Sequence, residues 1–206
     1  MCIAVVLVGL GVAVFTVDMT NIFISVSAPV QNGNRADRIS VMFVVENDAR
    51  FLNEIIDLLE DRDNVDANFF IGGQWAINNR DTVKRIADRF EIGNHGMTNR
   101  NLALIPERDQ NNEIQGAHDV LADIIGEPPS LFLPPNGSFN NRTLRVAERL
   151  GYRTVMWSRD ASTALQASSG DFVMLRPSLA TLTKLNSLLH DFNNRNLQVI
   201  RISENM

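Results

Sequence analysis

Three histidines, one cysteine, two tryptophans and a scatter of carboxylates and guanidinium groups are what this 206-residue chain offers for chemistry. His95 closes a short β-rich run, Glu91-Ile92-Gly93-Asn94-His95. An imidazole at such a place could bind a divalent metal or carry a proton, or it could be a ring hydrogen-bonded at a strand end. One imidazole cannot hold a catalytic zinc, which takes three protein ligands. Cys2 is the only cysteine, so neither a disulfide framework nor a thiolate cage can be built. Glu46 and Asp48 follow the first apolar run of the body, where a carboxylate could serve as base or ligand, or cap the next helix. Asp160 could pair with Arg159 or Arg176, or stand in solvent. Arg176 is a permanent donor, suited to gripping a carboxylate or to a structural salt bridge. His118 and His190 fall on helical stretches among polar neighbours and read as solvated surface. Trp75 and Trp157 read as core packing, although an indole near a strand end can stack on a sugar face.

These groups must be positioned by a body that the pattern places from Arg38 onward. Ile39 to Val45 reads as a strand, and Phe51, Leu52, Ile55, Ile56, Leu58 and Leu59 repeat at helical spacing. Ala67 to Ile71 is a second strand, Gln74 to Phe90 a helix with Trp75, Val83, Ile86 and Ala87 inward, and Glu91 to Asn94 a third strand. Glu107 to Ile125 is helical, Leu131 to Leu133 is a strand stopped by Pro134-Pro135, and Asn140 to Leu150 is a helix ended by Gly151. Arg153 to Trp157, Phe172 to Leu175 and Leu197 to Ile202 are strands, with a helix over Ala180 to Asn193. Strands separated by helices call for parallel pairing with right-handed crossovers. About seven of them predict an α/β fold, a (β/α) barrel with its chemistry at the C-terminal ends of the strands.

Composition narrows the classes. Lys+Arg of 19 against Asp+Glu of 24 gives a net charge of -5, with no basic run to follow a phosphate backbone, so nucleic acid is excluded as a partner. Hydrophobic residues make up 45% of the chain, enough for the core of one domain. Residues 1–30 stand apart: from Cys2 to Val17 every residue is apolar or small apart from Thr16, and the run reads as a membrane anchor or signal segment. A buried strand is the alternative. Residues 31–37 read as a polar linker and 38–206 as the globular domain.

The run Phe69-Phe70-Ile71-Gly72-Gly73-Gln74-Trp75-Ala76, then Val83-Lys84-Arg85-Ile86-Ala87-Asp88 and Glu91-Ile92-Gly93-Asn94-His95-Gly96, resembles a NodB-type polysaccharide deacetylase. Pro134-Pro135-Asn136-Gly137-Ser138-Phe139-Asn140, then Leu150-Gly151-Tyr152 and Val155-Met156-Trp157-Ser158, is similar to further motifs of that family in order and spacing. The resemblance runs from Arg38 to the C-terminus and implies the family's irregular (β/α) barrel. It also implies deacetylation of N-acetyl glycans by a divalent metal, zinc or cobalt, held by one Asp and two His, with a second Asp as base and a His as acid.

This chain departs at those positions. Val44 and Val45 fall where the base and the metal carboxylate belong, Asn99 where the second His belongs, Leu133 where an Arg belongs, and Arg176 where the acid belongs. His95 alone is left as a vestigial ligand. The resemblance therefore implies an inactive relative with no metal cofactor. Glu46, Asn94, His95, Asn99, Asn136, Trp157, Asp160 and Arg176 are the candidates for binding a ligand such as cell-wall glycan. For Arg176 the ligand group would be a carboxylate of peptidoglycan, from its lactyl group or stem peptide. An active enzyme with a site rearranged around His95 and Glu46, Asp48 or Asp160 is the first alternative, and a structural partner in an envelope assembly the second. Asn47-Asp48-Ala49-Arg50-Phe51-Leu52 is similar to a sporulation-associated subgroup, which implies an exported or anchored protein outside the cytoplasmic membrane or between forespore membranes. An open strand-end mouth would favour binding. A mouth plugged by Val44, Val45, Leu133 and Arg176 would favour scaffolding.

Overall fold

A computed structural model describes residues 2–8, 11–17 and 27–206. Two short strands, β1 (Cys2–Val8) and β2 (Gly11–Val17), pair antiparallel with Cys2 opposite Val17. The expected anchor thus contains a strand pair where a spanning segment would be one helix. Residues 1, 9–10 and 18–26 of that segment lie outside the described residues. Among the described residues no helix is long and apolar enough to cross a membrane.

The body begins with β3 (Arg38–Val45), α1 (Leu52–Glu60) and β4 (Asn68–Ile71). Then come α2 (Gly73–Asn78), α3 (Arg80–Arg89) and β5 (Glu91–Asn94). Next are α4 (Glu107–Ile125), β6 (Leu131–Phe132), α5 (Asn141–Arg149), β7 (Arg153–Thr154) and β8 (Arg159–Asp160). The chain closes with β9 (Phe172–Leu175), α6 (Leu179–Asn194), β10 (Gln198–Val199) and α7 (Ile202–Asn205). Seven parallel strands run in the order β7-β6-β5-β4-β3-β9-β8 and curl into a half-barrel, with β10 added beside the start of β3. This is the parallel α/β architecture that the alternation of strand and helix patterns predicts.

Strand alternation sorts the core into two layers. Ile39, Val41, Phe43 and Val45 of β3 face the helices, packed with Ile55, Ile56, Ile86 and Phe192. Met42 and Val44 face the inside of the half-barrel with Phe70, Leu131, Leu133, Phe172 and Ile202. Side-chain caps fix helix starts: Asn140 accepts from the N3 amide of Thr143 in a capping box, and Ser178 accepts from the Thr181 amide.

Four expectations are corrected. The Gln74 to Phe90 helix is two helices, because Asn79 at the junction leaves helical geometry with φ -135° and ψ 38° and donates its side-chain amide to the Trp75 carbonyl. The last strand shrinks to two residues, and the chain turns into α7 once the Ile202 amide donates to the buried Asn68 side chain. The strand after α5 also keeps only Arg153 and Thr154. The 31–37 linker is partly tied to the body, since Asn32 bonds Asp171 at 3.0 Å and the Gly33 amide donates to the Gly170 carbonyl at 2.7 Å.

Candidate functional site

The C-terminal ends of β3, β5 and β9 converge on one carboxylate. Glu46 directly follows β3, His95 directly follows β5 and Arg176 directly follows β9. His95 is 2% exposed, and its amide donates to the Ile71 carbonyl. Its Nδ1 lies 2.8 Å from the Leu133 carbonyl oxygen, which can only accept, so Nδ1 carries the proton. Its Nε2 lies 3.3 Å from Glu46 Oε1. That contact is a hydrogen bond only when the ring is doubly protonated. Arg176 NH1 donates to the same Oε1 at 2.5 Å, and Asn99 Nδ2 donates to Oε2.

The loop that delivers Asn99 is shaped by backbone geometry. Gly96 has φ +75°, and a Cβ there would press on Pro135 at 3.0 Å. Asn99 itself is left-handed at φ 56°, which Asn tolerates better than most residues. Behind the loop, buried Glu113 of α4 accepts from the amides of Met97 and Thr98 at 3.2 and 2.8 Å and from the Thr98 hydroxyl at 2.5 Å. Sequence reasoning missed Glu113. Its signal was an acid on the buried stripe of α4, alongside Gln110, Ile114, Ala117 and Leu121.

Burial alone would raise the pKa of Glu46, but the hydrogen bonds from His95 and Arg176 and their charges outweigh it, and the pKa is held at about 2, below the ordinary 4.5. A depressed carboxylate stabilises the fold fully above its unfolded pKa and loses that contribution as the pH falls through the folded value. The stability gap between the wild type and Glu46→Gln is therefore expected to be on the order of 2 kcal/mol at pH 6 and to close between pH about 4.5 and about 2. Urea unfolding of both proteins across that range measures it. A gap that stays constant with pH would refute the assignment.

Of the other candidates, Asn136 touches this cluster, donating to the Asn99 side chain at 3.1 Å. Asn94 does not reach the cluster but is a buried strut behind it: its Nδ2 donates to the Ile114 carbonyl and to the Tyr152 hydroxyl, both at 2.9 Å, and its Oδ1 accepts from the Gly96 amide at 2.7 Å. Trp157 lies against Gly137, where an added Cβ would come within 2.7 Å of the indole. Asp160 pairs with neither Arg159 nor Arg176. It accepts from the Ser162 amide and hydroxyl at 2.9 and 2.6 Å, while Arg159 is taken by Asp171 at 3.0 Å. Asp48 pairs with Arg50 and no side chain caps α1, so the capping expectation fails at Glu46 and Asp48 alike. His118 is half-buried against the Tyr152 hydroxyl at 2.9 Å, which corrects its reading as solvated surface; His190 is exposed.

The mouth is closed. Val44 and Leu133 are buried in the interior cluster and Arg176 lies across Glu46, while Val45 points to the helix layer and takes no part. The space left among Glu46, Gly72, Trp75, His95 and Asn99 is a cavity of about 10 Å³. Beside it, an apolar groove of about 790 Å³ runs between Met174, Leu175 and α6, with Leu165 at 68% exposure on its rim.

The divalent metal implied by the resemblance does not fit these residues. Among the described residues no three His, Cys, Asp or Glu side chains could hold a metal ion together. The one imidazole and the one carboxylate already have partners in each other, Arg176, Asn99 and the Leu133 carbonyl.

A curled parallel half-barrel with its polar cluster at the strand ends is the architecture of the deacetylase-type carbohydrate esterases. The polysaccharide deacetylase family model matches residues 34–155, and the chain belongs to that family. A CE4 family pseudoenzyme from Bacillus anthracis, BA3943, superposes with TM-score 0.81 at 24% identity, over 86% of this chain and 68% of that one. The Bc1960 peptidoglycan N-acetylglucosamine deacetylase superposes with TM-score 0.80 at 22% identity, over 87% and 92%. In sequence, the uncharacterized protein YlxY of Bacillus subtilis is 27% identical over 195 residues, which cover 86% of this chain and 60% of the relative. A peptidoglycan-N-acetylglucosamine deacetylase of Bacillus cereus is 33% identical over 128 residues, which cover 62% of this chain and 46% of the relative.

Proposed function

We propose that this chain is a non-hydrolytic member of its family, acting at the cell envelope by binding glycan or a protein partner rather than by deacetylation. The observation that carries this reading is the Glu46 carboxylate, held between Arg176, Asn99 and His95 where metal-assisted hydrolysis needs an open coordination position and a free base. Val44 has no group to take a proton, and Arg176 at neutral pH has none to give readily. The alternative of a rearranged active site draws some support from Glu46, which does lie beside His95. Asp48 and Asp160 are engaged elsewhere, which leaves too few ligands for it.

The purified domain is expected to release no acetate above background from N-acetylated peptidoglycan fragments, with or without added Zn²⁺ or Co²⁺. Metal-dependent acetate release at a rate proportional to protein would overturn the reading.

A structural role in an envelope or sporulation assembly is the second reading. It is favoured by the closed mouth together with the open groove, which has no aromatic or amide side chain in its lining to suit a sugar. Sedimentation with insoluble peptidoglycan separates the two, because only glycan binding carries the protein into the pellet. An exported location, with residues 1–30 as anchor or signal and 38–206 as the functional domain, belongs to the same proposal. It draws on the apolar run of Cys2 to Val17 and on relatives named for peptidoglycan.

A further inference from the structure

A carboxylate taken largely out of water needs a cation beside it, or it neutralises by taking up a proton. Glu46 is 13% exposed and follows the fully buried Val45. Among the described residues its ion-pair partners are His95, whose charge depends on protonation, and Arg176, whose charge is permanent. Arg176 comes from the end of β9, the strand directly beside β3, although it lies 130 residues along the chain, and its carbonyl accepts from the Thr181 hydroxyl at 2.6 Å. The His95 and Asn99 side chains meet the same carboxylate from the other side. A divalent ion approaching Oε1 of Glu46 meets the Arg176 guanidinium, and one approaching Oε2 meets the Asn99 amide.

We propose that Arg176 is the resident cation of this site, taking over from a metal ion the holding together of Glu46, His95 and the Asn99 loop, and barring a divalent ion from them. The proposal rests on the non-hydrolytic reading above and goes a step beyond it: two positions, 99 and 176, separate the present site from a metal site. With an imidazole at 99 and no guanidinium at 176, Glu46, His95 and the new ring supply three ligands with a fourth position open. Arg176 is 49% exposed, so its removal opens no buried void.

Cobalt(II) titration of the full 206-residue chain, followed by visible absorption and calorimetry, tests this in the wild type, Asn99→His, Arg176→Ala and the double variant. Only the double variant is expected to develop the intense bands of four-coordinate cobalt, with affinity about 100-fold above that of Asn99→His alone. Asn99→His binding cobalt as tightly as the double variant would overturn the role of Arg176 and leave the non-hydrolytic reading standing. Stoichiometric binding by the wild type would overturn both. Circular dichroism monitors folding, and Asn99→His/Arg176→Gln, which keeps much of the side-chain volume, serves as the second double variant. Failure of both folded double variants to bind cobalt would also refute the proposal.

Discussion

Replacing Phe69 by alanine is expected to destabilise the domain by about 3–5 kcal/mol, the usual cost of emptying a large aromatic site in a packed core. Phe69 sits on β4, in the middle of the sheet, and is fully buried. Its ring stacks on Phe43 of β3 at 5.1 Å with the planes 19° apart, and meets Phe90 at 5.4 Å. Removing it strips contacts from both rings and leaves a void that strands fixed by hydrogen bonds on both edges cannot close. A fall in the urea midpoint with an unchanged slope is the expected signature. A loss below about 1 kcal/mol would show that the aromatic layer repacks and does not act as a rigid floor under the site.

Glu113→Ala is expected to cost about 3 kcal/mol, for a different reason. Three donors converge on this buried carboxylate, and truncation leaves two backbone amides of the 95–99 loop and the Thr98 hydroxyl without it. Hydrogen bonds to a charged acceptor contribute roughly 1.5–3 kcal/mol each, but those sharing one acceptor do not add. The loss falls first on the loop that carries Asn99 to Glu46. Amide exchange should accelerate at Met97 and Thr98 well before it does in β4 or β5. Unchanged protection at these two amides would mean the loop is held without Glu113, through the Asn94 side chain and the amides of Gly73 and Gln74, and Glu113 would lose its assignment as a positioning residue.

Much of the architecture was legible in the chain because local pattern and tertiary context agree there. The segments Glu91–Asn94, Glu107–Ile125 and Phe172–Leu175 form as their periodicity predicts. The helix break at Asn79 and the early end of the final strand in α7 were not legible, since both depend on a side chain meeting a backbone group in the fold. The same limit applied at the site. Asn94, Trp157 and Asp160 share the motif region with His95, yet their side chains turn to other partners. Glu113, outside every motif, turned out to hold the loop.

The amino-acid sequence by itself determined the alternating strand and helix order, the family, and the presence of valine at 44 and 45 and asparagine at 99, where the family resemblance implies a base, a metal carboxylate and a second histidine. Those are properties of residue type, spacing and periodicity, which survive without coordinates. Only the tertiary structure decided which side chains meet at the strand ends. Glu46 and Arg176 are 130 positions apart, and whether two charges so distant in sequence meet is set by the order of parallel strands, which places β9 directly beside β3. Burial of the carboxylate then sharpens that meeting, because Glu46 is largely withdrawn from water while Arg176 stays half-exposed, and their attraction is less screened than between two surface groups.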